Sequence, residues 1–387
     1  MTSFNYYMPS RILFGKNKLD EFIDYLPGTK ALIVSSAGPS MKKYGYLDRV
    51  ESLLKKANVS YVVFDKILTN PTKTHVMQGA DLAKENNCDF VIGLGGGSSI
   101  DAAKSIAVMA TNPGDYWDYV GGGSGKGLPV PHEPLPIVAI TTTAGTGTEA
   151  DPWTVVTKED TNEKIGFGYD KTFPVLSVVD PSLMMSVPPH LTAYQGFDAL
   201  FHATEGYLAN IASPVSDMYA LKSIELIGKY LVTAVNDGAN EEARAMVALA
   251  NTLSGFVEST SSCTSEHSLE HALSAYHPTL PHGAGLIMIS LEYYTFFANA
   301  GVQKMIDMAK ALGNPNAKEP MDFVMALKDL QQKCHVADLK MSDYGIDRVN
   351  LIKYAENARH TMGPLFDFDP VPINTQDATE ILRKSYK

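Results

Sequence analysis

The chain predicts an α/β N-terminal domain with a parallel Rossmann-like sheet, followed by an all-α C-terminal domain. Short β-branched runs alternate with amphipathic stretches through the first half. Strand signals almost vanish after Val187-Pro188-Pro189, where long Ala/Leu/Met/Glu-rich stretches take over. Two glycine-bearing turns each follow an apolar strand signal. Strand and helix alternating at this spacing means βαβ units, which pair their strands in parallel through right-handed crossovers. At 387 residues the chain exceeds one comfortable core, so two domains are expected, 1–185 and 186–387.

The strand candidates are Lys30–Ser35, Val59–Phe64, Phe90–Leu94, Ile137–Ile140 and Val175–Val179, all short, apolar and β-branched. Between them, Met41–Ala57, Thr74–Asn86 and Asp101–Ala110 read as amphipathic helices. Trp153–Thr157 and Lys164–Gly168 flank the polar Lys158–Glu163 and read as a hairpin. Residues 112–134, rich in glycine and proline, are a loop. Helical period then returns at Pro214–Asn236, Glu241–Glu258, Val302–Ala311, Pro320–Lys333 and Arg348–Ala358.

Composition excludes several function classes. The net charge is −11 and no basic stripe exists to neutralise phosphates, which argues against a nucleic-acid partner. No run approaches the ~20 apolar residues of a membrane span. The opening MTSFNYYMPSRILFG lacks a basic region followed by an apolar one, so no signal peptide is read. Three widely spaced cysteines, Cys88, Cys263 and Cys334, support neither a disulfide framework nor a zinc ribbon, and a cytoplasmic location is expected.

The two turns suit a phosphate-bearing ligand. Gly93-Leu94-Gly95-Gly96-Gly97-Ser98-Ser99-Ile100-Asp101 leads from a strand into a helix. Glycine permits close backbone approach, and a helix N-terminus offers free N–H groups and a positive dipole end. Ser98 stands where the dinucleotide fingerprint has its third glycine, and Ser98-x-x-Asp101 also fits a capping box. The second run, Thr141 to Glu149, offers five threonine hydroxyls and two glycines at the end of another strand. Ligands of open α/β sheets gather at the carboxyl ends of strands.

The second half carries a metal-ligand pattern. Asp198 and His202 are spaced i, i+4 in GFDALFHATEG, so a helix puts both on one face. His267, His271 and His277 follow in HSLEHALSAYHPTLPHG, which ends with His282 in Pro281-His282-Gly283. Five of the ten histidines fall in these two segments, whose Ala, Leu, Ser and Gly surroundings are poor hosts for an unpaired imidazole. One carboxylate and three imidazoles complete a ligand set for one divalent ion. With that set full, Cys263 is expected to stand outside it.

Together these motifs make the chain resemble the iron-containing (group III) alcohol dehydrogenases of the dehydroquinate synthase-like fold. The resemblance runs from the strand ending in Phe14-Gly15, through Asn70-Pro71-Thr72, GGGSSID, TTTAGTGTE and Asp180-Pro181, to DALFHA and Pro281-His282-Gly283. It implies Asp198, His202, His267 and His282 as ligands of Fe²⁺, with Zn²⁺ possible, and His271 as an active-site histidine beside the nicotinamide. It implies Gly96, Gly97 and Ser98 as a pyrophosphate cradle, with Asn70, Thr142, Thr143 and Lys164 as further NAD or NADP contacts. Asp101 and Thr146 join the cofactor candidates on the same loops, and Ser36 joins them in the Val34–Gly38 stretch. The expected activity is hydride transfer between NAD(P)(H) and a small primary alcohol, diol or aldehyde, in a homodimer or larger homo-oligomer. The alternative is a zinc-dependent polyol dehydrogenase of the glycerol type. Val34 to Gly38 contains no carboxylate, and Lys42 and Lys43 follow closely, so NADP(H) is expected to be accepted.

Overall fold

The structure, a computed structural model, describes residues 3–387. The chain divides into two compact units. One comprises Met8–Thr143 and Thr148–Ser186; the other comprises Val187–Lys387 with Ala144–Gly147 and the N-terminal residues up to Tyr7.

The first unit is built on a six-stranded, all-parallel sheet. Its strands are β1 (Arg11–Phe14), β2 (Lys30–Ser36), β3 (Ser60–Ile67), β4 (Phe90–Gly95), β5 (Ile137–Thr141) and β8 (Leu176–Val179), in the order β1-β8-β5-β4-β2-β3. The remaining two, β6 (Thr154–Lys158) and β7 (Glu163–Phe167), form the antiparallel hairpin. Ile33, Phe90, Ile92, Val138, Ile140 and Val178 pack with Leu19, Phe22, Val50 and Leu54 into one buried cluster. Each such side chain contributes roughly 1.5–3 kcal/mol by leaving water.

Register brings the two candidate nucleotide turns side by side. Leu94 pairs with Ile140 and Gly95 with Thr141, so the segments after β4 and β5 leave neighbouring strands at the same end. The N–H of Thr142 donates to the Gly95 carbonyl at 2.9 Å and ties them together. Gly95 has φ +147°, a conformation that side chains resist, and an added Cβ would lie 2.6 Å from Ser99 Oγ.

Several expected details change. The helix read as Met41–Ala57 is two, Ser40–Lys43 and Tyr46–Lys56, because Gly45 between them takes φ +72°. The Ser98/Asp101 capping box does not form: the helix Gly97–Thr111 starts from Gly96 with no side-chain cap. Ser98 Oγ donates instead to the Thr69 carbonyl. Asp101 accepts from Thr148 Oγ1 at 2.7 Å and from the Val155 N–H at 2.9 Å, which anchors the hairpin to the helix. Beside it the fully buried Lys104 donates to Thr148 Oγ1, to Asp151 and to the Trp153 carbonyl.

The second unit is helical. Pro189–Leu208, Pro214–Asn236 and Glu241–Thr260 pack on one another, and Ser265–Tyr276 packs between His282–Phe297 and Leu351–Asp367. Arg244 fastens the entry to the first of these: Nη1 donates to Thr192 Oγ1 at 2.6 Å and Nη2 to the Val187 carbonyl at 2.8 Å. The stretch read as Arg348–Ala358 opens with a single 3₁₀ turn, and its helix runs on to Asp367 with a break at Met362. Pro364 explains the break, because a proline inside a helix has no N–H to give and clashes with the preceding turn.

Candidate metal centre

Three helices and one turn of the second unit converge on Asp198. Asp198 and His202 lie one turn apart on Pro189–Leu208; His267 is on Ser265–Tyr276; His282 opens His282–Phe297. Asp198 Oδ1 is 3.4 Å from His282 Nε2, 3.6 Å from His267 Nε2 and 3.8 Å from His202 Nδ1. The rings of His202 and His267 stack at 4.3 Å between centroids. Gly283 lets the chain after His282 pass the backbone of Tyr194, where a Cβ would come within 2.1 Å of a carbonyl oxygen.

Each of the three imidazoles has its Nδ1 held by an oxygen. His202 Nδ1 donates to the Gly145 carbonyl at 3.2 Å, His267 Nδ1 to Glu205, and His282 Nδ1 to Glu270. A carbonyl or carboxylate oxygen only accepts, so the proton sits on Nδ1 and the lone pair on Nε2. Oxygen partners behind the ligating imidazoles are the arrangement by which proteins fix a metal-binding tautomer. Asp198 Oδ1 and His267 Nε2 are buried and have no hydrogen-bond partner. Buried polar atoms left this way are costly unless something else satisfies them, and a divalent cation does.

The electrostatics of the metal-free cluster divide: burial opposes the charged form of His267, but Cys263 and Glu205 outweigh it and hold that imidazole well above its ordinary value, whereas His202 shifts the other way. Burial works against the charged carboxylate of Asp198, but His202 and His282 outweigh it and hold its carboxyl well below the ordinary range. Burial, with His267 close by, lowers His202 to about 3, so this imidazole is neutral at physiological pH and has a lone pair to give. Burial also pushes the Cys263 thiol well above its usual value, with His267 offsetting part of that shift.

Glu205, Glu270 and the role of the Gly145 carbonyl went unread in the sequence, and Cys263 was read there as lying outside the ligand set. Glu205 lies three residues after His202 and Glu270 three after His267, so both share a helix face with a ligand. Both are 0% exposed, in stretches otherwise poor in charge, and a buried carboxylate needs a partner. Gly145 could not be found by residue type, because it acts through its carbonyl. Residues 144–147 of the threonine-rich run belong to the helical unit. The N–H of Ala144 donates to Gln195 Oε1 and that of Gly147 to Asn251 Oδ1. An added Cβ on Gly145 would meet Gln195 Cα at 3.0 Å and Asp198 Oδ2 at 3.1 Å. His271 is buried with its ring 5.4 Å from that of His282. His277 points elsewhere, its Nε2 bonding the Tyr354 hydroxyl at 2.9 Å.

The other candidates sort by unit. Thr146 lies within 144–147 and so with the helical unit. Gly96, Gly97 and Ser98 form the start of Gly97–Thr111, and Thr143 packs where a Gly96 Cβ would stand, at 3.0 Å. The Ser98–Thr69 bond and the Thr157 N–H donation to the Pro71 carbonyl join this turn to Asn70 and to the hairpin, where Lys164 pairs with Thr157. Thr142, Asn70 and Lys164 are buried, and Ser36 ends β2. Lys42 is not a free cation, since it is paired with Asp65 at 2.6 Å.

A parallel sheet with a glycine turn into a helix, followed by helices that gather a carboxylate and three tautomer-fixed imidazoles, defines a nucleotide- and metal-using enzyme. Residues 9–181 match the family described as iron-containing alcohol dehydrogenase, and residues 192–386 match the C-terminal part of the Fe-containing alcohol dehydrogenase family. Alcohol dehydrogenase 4 of Schizosaccharomyces pombe is 35% identical over 94% of this chain and 86% of its own. NADH-dependent butanol dehydrogenase A of Clostridium acetobutylicum is 32% identical over 100% of both chains. An archaeal halo-thermophilic Red Sea brine pool alcohol dehydrogenase, solved bound to NZQ, superposes with a TM-score of 0.95 at 33% identity, covering 100% of this chain and 99% of that one. The chain belongs to the iron-containing alcohol dehydrogenase family. It is an oxidoreductase of the alcohol dehydrogenase class, and the zinc polyol alternative is not favoured. Among the described residues, no helix is long and apolar enough to cross a membrane.

Proposed function

We propose that this enzyme interconverts small primary alcohols or diols and their aldehydes with NAD(P)(H), using Fe²⁺ held by Asp198, His202, His267 and His282. The observation that carries the reading is that His267 and His282, each with Nδ1 held by a carboxylate, present Nε2 to the unpartnered Oδ1 of Asp198, with the His202 ring stacked on that of His267. A divalent ion there supplies Lewis acidity toward an alcohol or carbonyl oxygen.

The chain's own residues do the rest. Glu205 and Glu270 keep His267 and His282 in the ligating tautomer, and Gly145 does the same for His202. His271, one turn from His267, is the residue that moves a proton at its imidazole. The residues 1–185 form the dinucleotide-binding part, apart from the Gly145 turn and the N-terminal residues up to Tyr7, and 186–387 form the metal-binding part. In the first, the uncapped helix start at Gly96, Gly97 and Ser98 offers N–H groups to a pyrophosphate. Ser36, Asn70, Thr142, Thr143, Thr146 and Lys164 add polar contacts to the nucleotide. Asp101 contributes indirectly, by fixing the hairpin that bears Lys164.

NADP(H) remains accepted in this reading, since Val34 to Gly38 carries no carboxylate to repel a 2′-phosphate. The Lys42–Asp65 pair weakens the case for a strong preference. Free thiols at Cys88, Cys263 and Cys334 suit a reducing cytoplasm, and the family suits a homodimer or larger assembly.

The test is elemental analysis of anaerobically purified protein, joined to NADH- and NADPH-linked assays on short aldehydes and diols. One iron per chain and turnover that disappears with chelation are expected. Full turnover by metal-free protein sinks the reading.

A further inference from the structure

Cys263 lies in the turn between Glu241–Thr260 and Ser265–Tyr276. Its sulfur and one ring nitrogen each from His202 and His267 lie within 4.8 Å of one another. Atoms of Asp198, His267 and His282 form a second such triad. His267 belongs to both, and because Glu205 holds its Nδ1, the nitrogen it can offer an ion is the buried, unpartnered Nε2. Glu258 borders the sulfur triad, with Oε2 3.8 Å from Cys263 Sγ and Oε1 3.6 Å from His202 Nδ1.

The two triads differ in chemistry. Asp198, His267 and His282 present one hard oxygen and two nitrogens, a set suited to Fe²⁺. His202, Cys263 and His267 present a sulfur and two nitrogens, and thiolate sulfur selects softer ions, Zn²⁺ among them. A coordinated thiol gives up its proton even where burial opposes ionisation in the metal-free protein. The other two cysteines are no part of this cluster: Cys88 lies in the α/β unit and Cys334 follows the helix Met321–Lys333.

We propose that Cys263 is a conditional ligand of this metal centre: a thiophilic divalent ion of the zinc class is bound through its sulfur together with His202 and His267, while iron is bound through Asp198. The inference rests on the metal-centre reading above and assigns a role to a residue outside its four ligands. It gives the chain a device by which a competing ion settles toward the sulfur side.

Cobalt(II) is the probe, since a cobalt–thiolate bond gives a sulfur-to-metal charge-transfer band in the near ultraviolet that nitrogen and oxygen ligands do not. The full-length apoprotein, its Cys263→Ser and Cys263→Ala variants and His267→Ala are titrated with Co²⁺. The expected result is one Co²⁺ per wild-type chain with the sulfur band. Both Cys263 variants should keep the ion but lose the band. Their Zn²⁺ affinity should fall by about 10–100-fold, with Fe²⁺ affinity changed only a few-fold. Co²⁺ bound stoichiometrically without a sulfur band, or with a spectrum that Cys263→Ser leaves unchanged, overturns this inference alone. A wild-type chain that takes up no Co²⁺, or a His267→Ala chain that takes it up unchanged, overturns the metal-centre reading and this inference with it.

Discussion

The candidate metal centre of the helical unit is made of side chains, whereas the candidate nucleotide turn of the α/β unit is made of backbone. Asp198, His267 and His282 bring functional groups to one point, the His202 ring stacks on that of His267, and the carboxylates of Glu205 and Glu270 stand behind two of the imidazoles. At Gly95, Gly96 and Gly97 the useful groups are N–H donors and the absence of Cβ atoms. A site of the first kind fails when one residue changes. The second kind fails only when the backbone is forced to move. This difference ranks the substitutions that probe each unit.

The largest effect is expected at the ligands. His267→Ala or Asp198→Ala should lower kcat/KM by about 10³-fold or more, since a Lewis acid supplies several kcal/mol and each tenfold is about 1.4 kcal/mol. Metal content should fall with it while circular dichroism stays unchanged. A variant that kept both metal and rate would show that the site is not built from these side chains.

Next comes Lys104, which tests the α/β unit by its scaffold. Its side chain is 0% exposed and pairs with Asp151 at 3.1 Å. Removing one partner of a buried pair leaves an uncompensated charge, so Lys104→Met should cost about 3–5 kcal/mol. Both tryptophans, Trp117 and Trp153, lie in this unit, so their fluorescence in urea reports on it alone. Metal affinity in the helical unit should not change. A parallel loss of metal affinity would mean that the two sites are not separable in this way.

Glu270→Gln should act more mildly, weakening metal binding by about 10–100-fold. The glutamine still occupies the space behind His282, but its amide can donate as well as accept, so the imidazole tautomer is no longer enforced. Isothermal titration of the apoprotein measures this directly. Equal affinity in the variant would reduce Glu270 to a packing role.

The same contrast explains what the sequence disclosed. Candidate ligands announce themselves by residue type and spacing, so Asp198, His202, His267 and His282 could be named without coordinates, with His271 as a neighbouring active-site candidate, and the structure brings their side chains near one another. The alternation of β-branched runs with helical periods likewise gave the sheet, its hairpin and the helical second half. Gly145 could not be named for its carbonyl, and its run, rich in threonine, suggested a ligand loop. Four of those residues prove to be tied to the metal helices. Ser98 and Asp101 fit a capping box by spacing, but tertiary partners, the Thr69 carbonyl and the Thr148 and Val155 donors, compete more strongly than the local ones. Glu205 and Glu270 were legible in principle as charges on an apolar face, but a carboxylate behind a histidine has no spacing rule of its own. Cys263 was set aside because the ligand count was already complete, and proximity in space is what returns it to consideration.

The smallest effect concerns Asp369, which braces the start of the helix that bears His267 and His271. Its Oδ1 accepts from the Ser265 N–H at 3.1 Å, Ser265 Oγ at 3.0 Å and the Tyr293 hydroxyl at 3.1 Å. Burial raises its pKa from 3.8 to about 7 despite those bonds, with Glu205 adding to the rise. Because the folded value lies above the unfolded one, its contribution to stability is complete below about pH 4 and is lost as pH climbs toward 7. Asp369→Asn carries a neutral amide at every pH and escapes that loss. Thermal melts of chelated protein between pH 5 and pH 8 should therefore show the variant gaining on the wild type as pH rises, by on the order of 1–3 kcal/mol. A difference independent of pH would mean that Asp369 ionises as readily in the folded chain as in the unfolded one. The brace would then be an ordinary charged cap, and the burial that isolates the metal helices would extend less far toward the C-terminus than the geometry indicates.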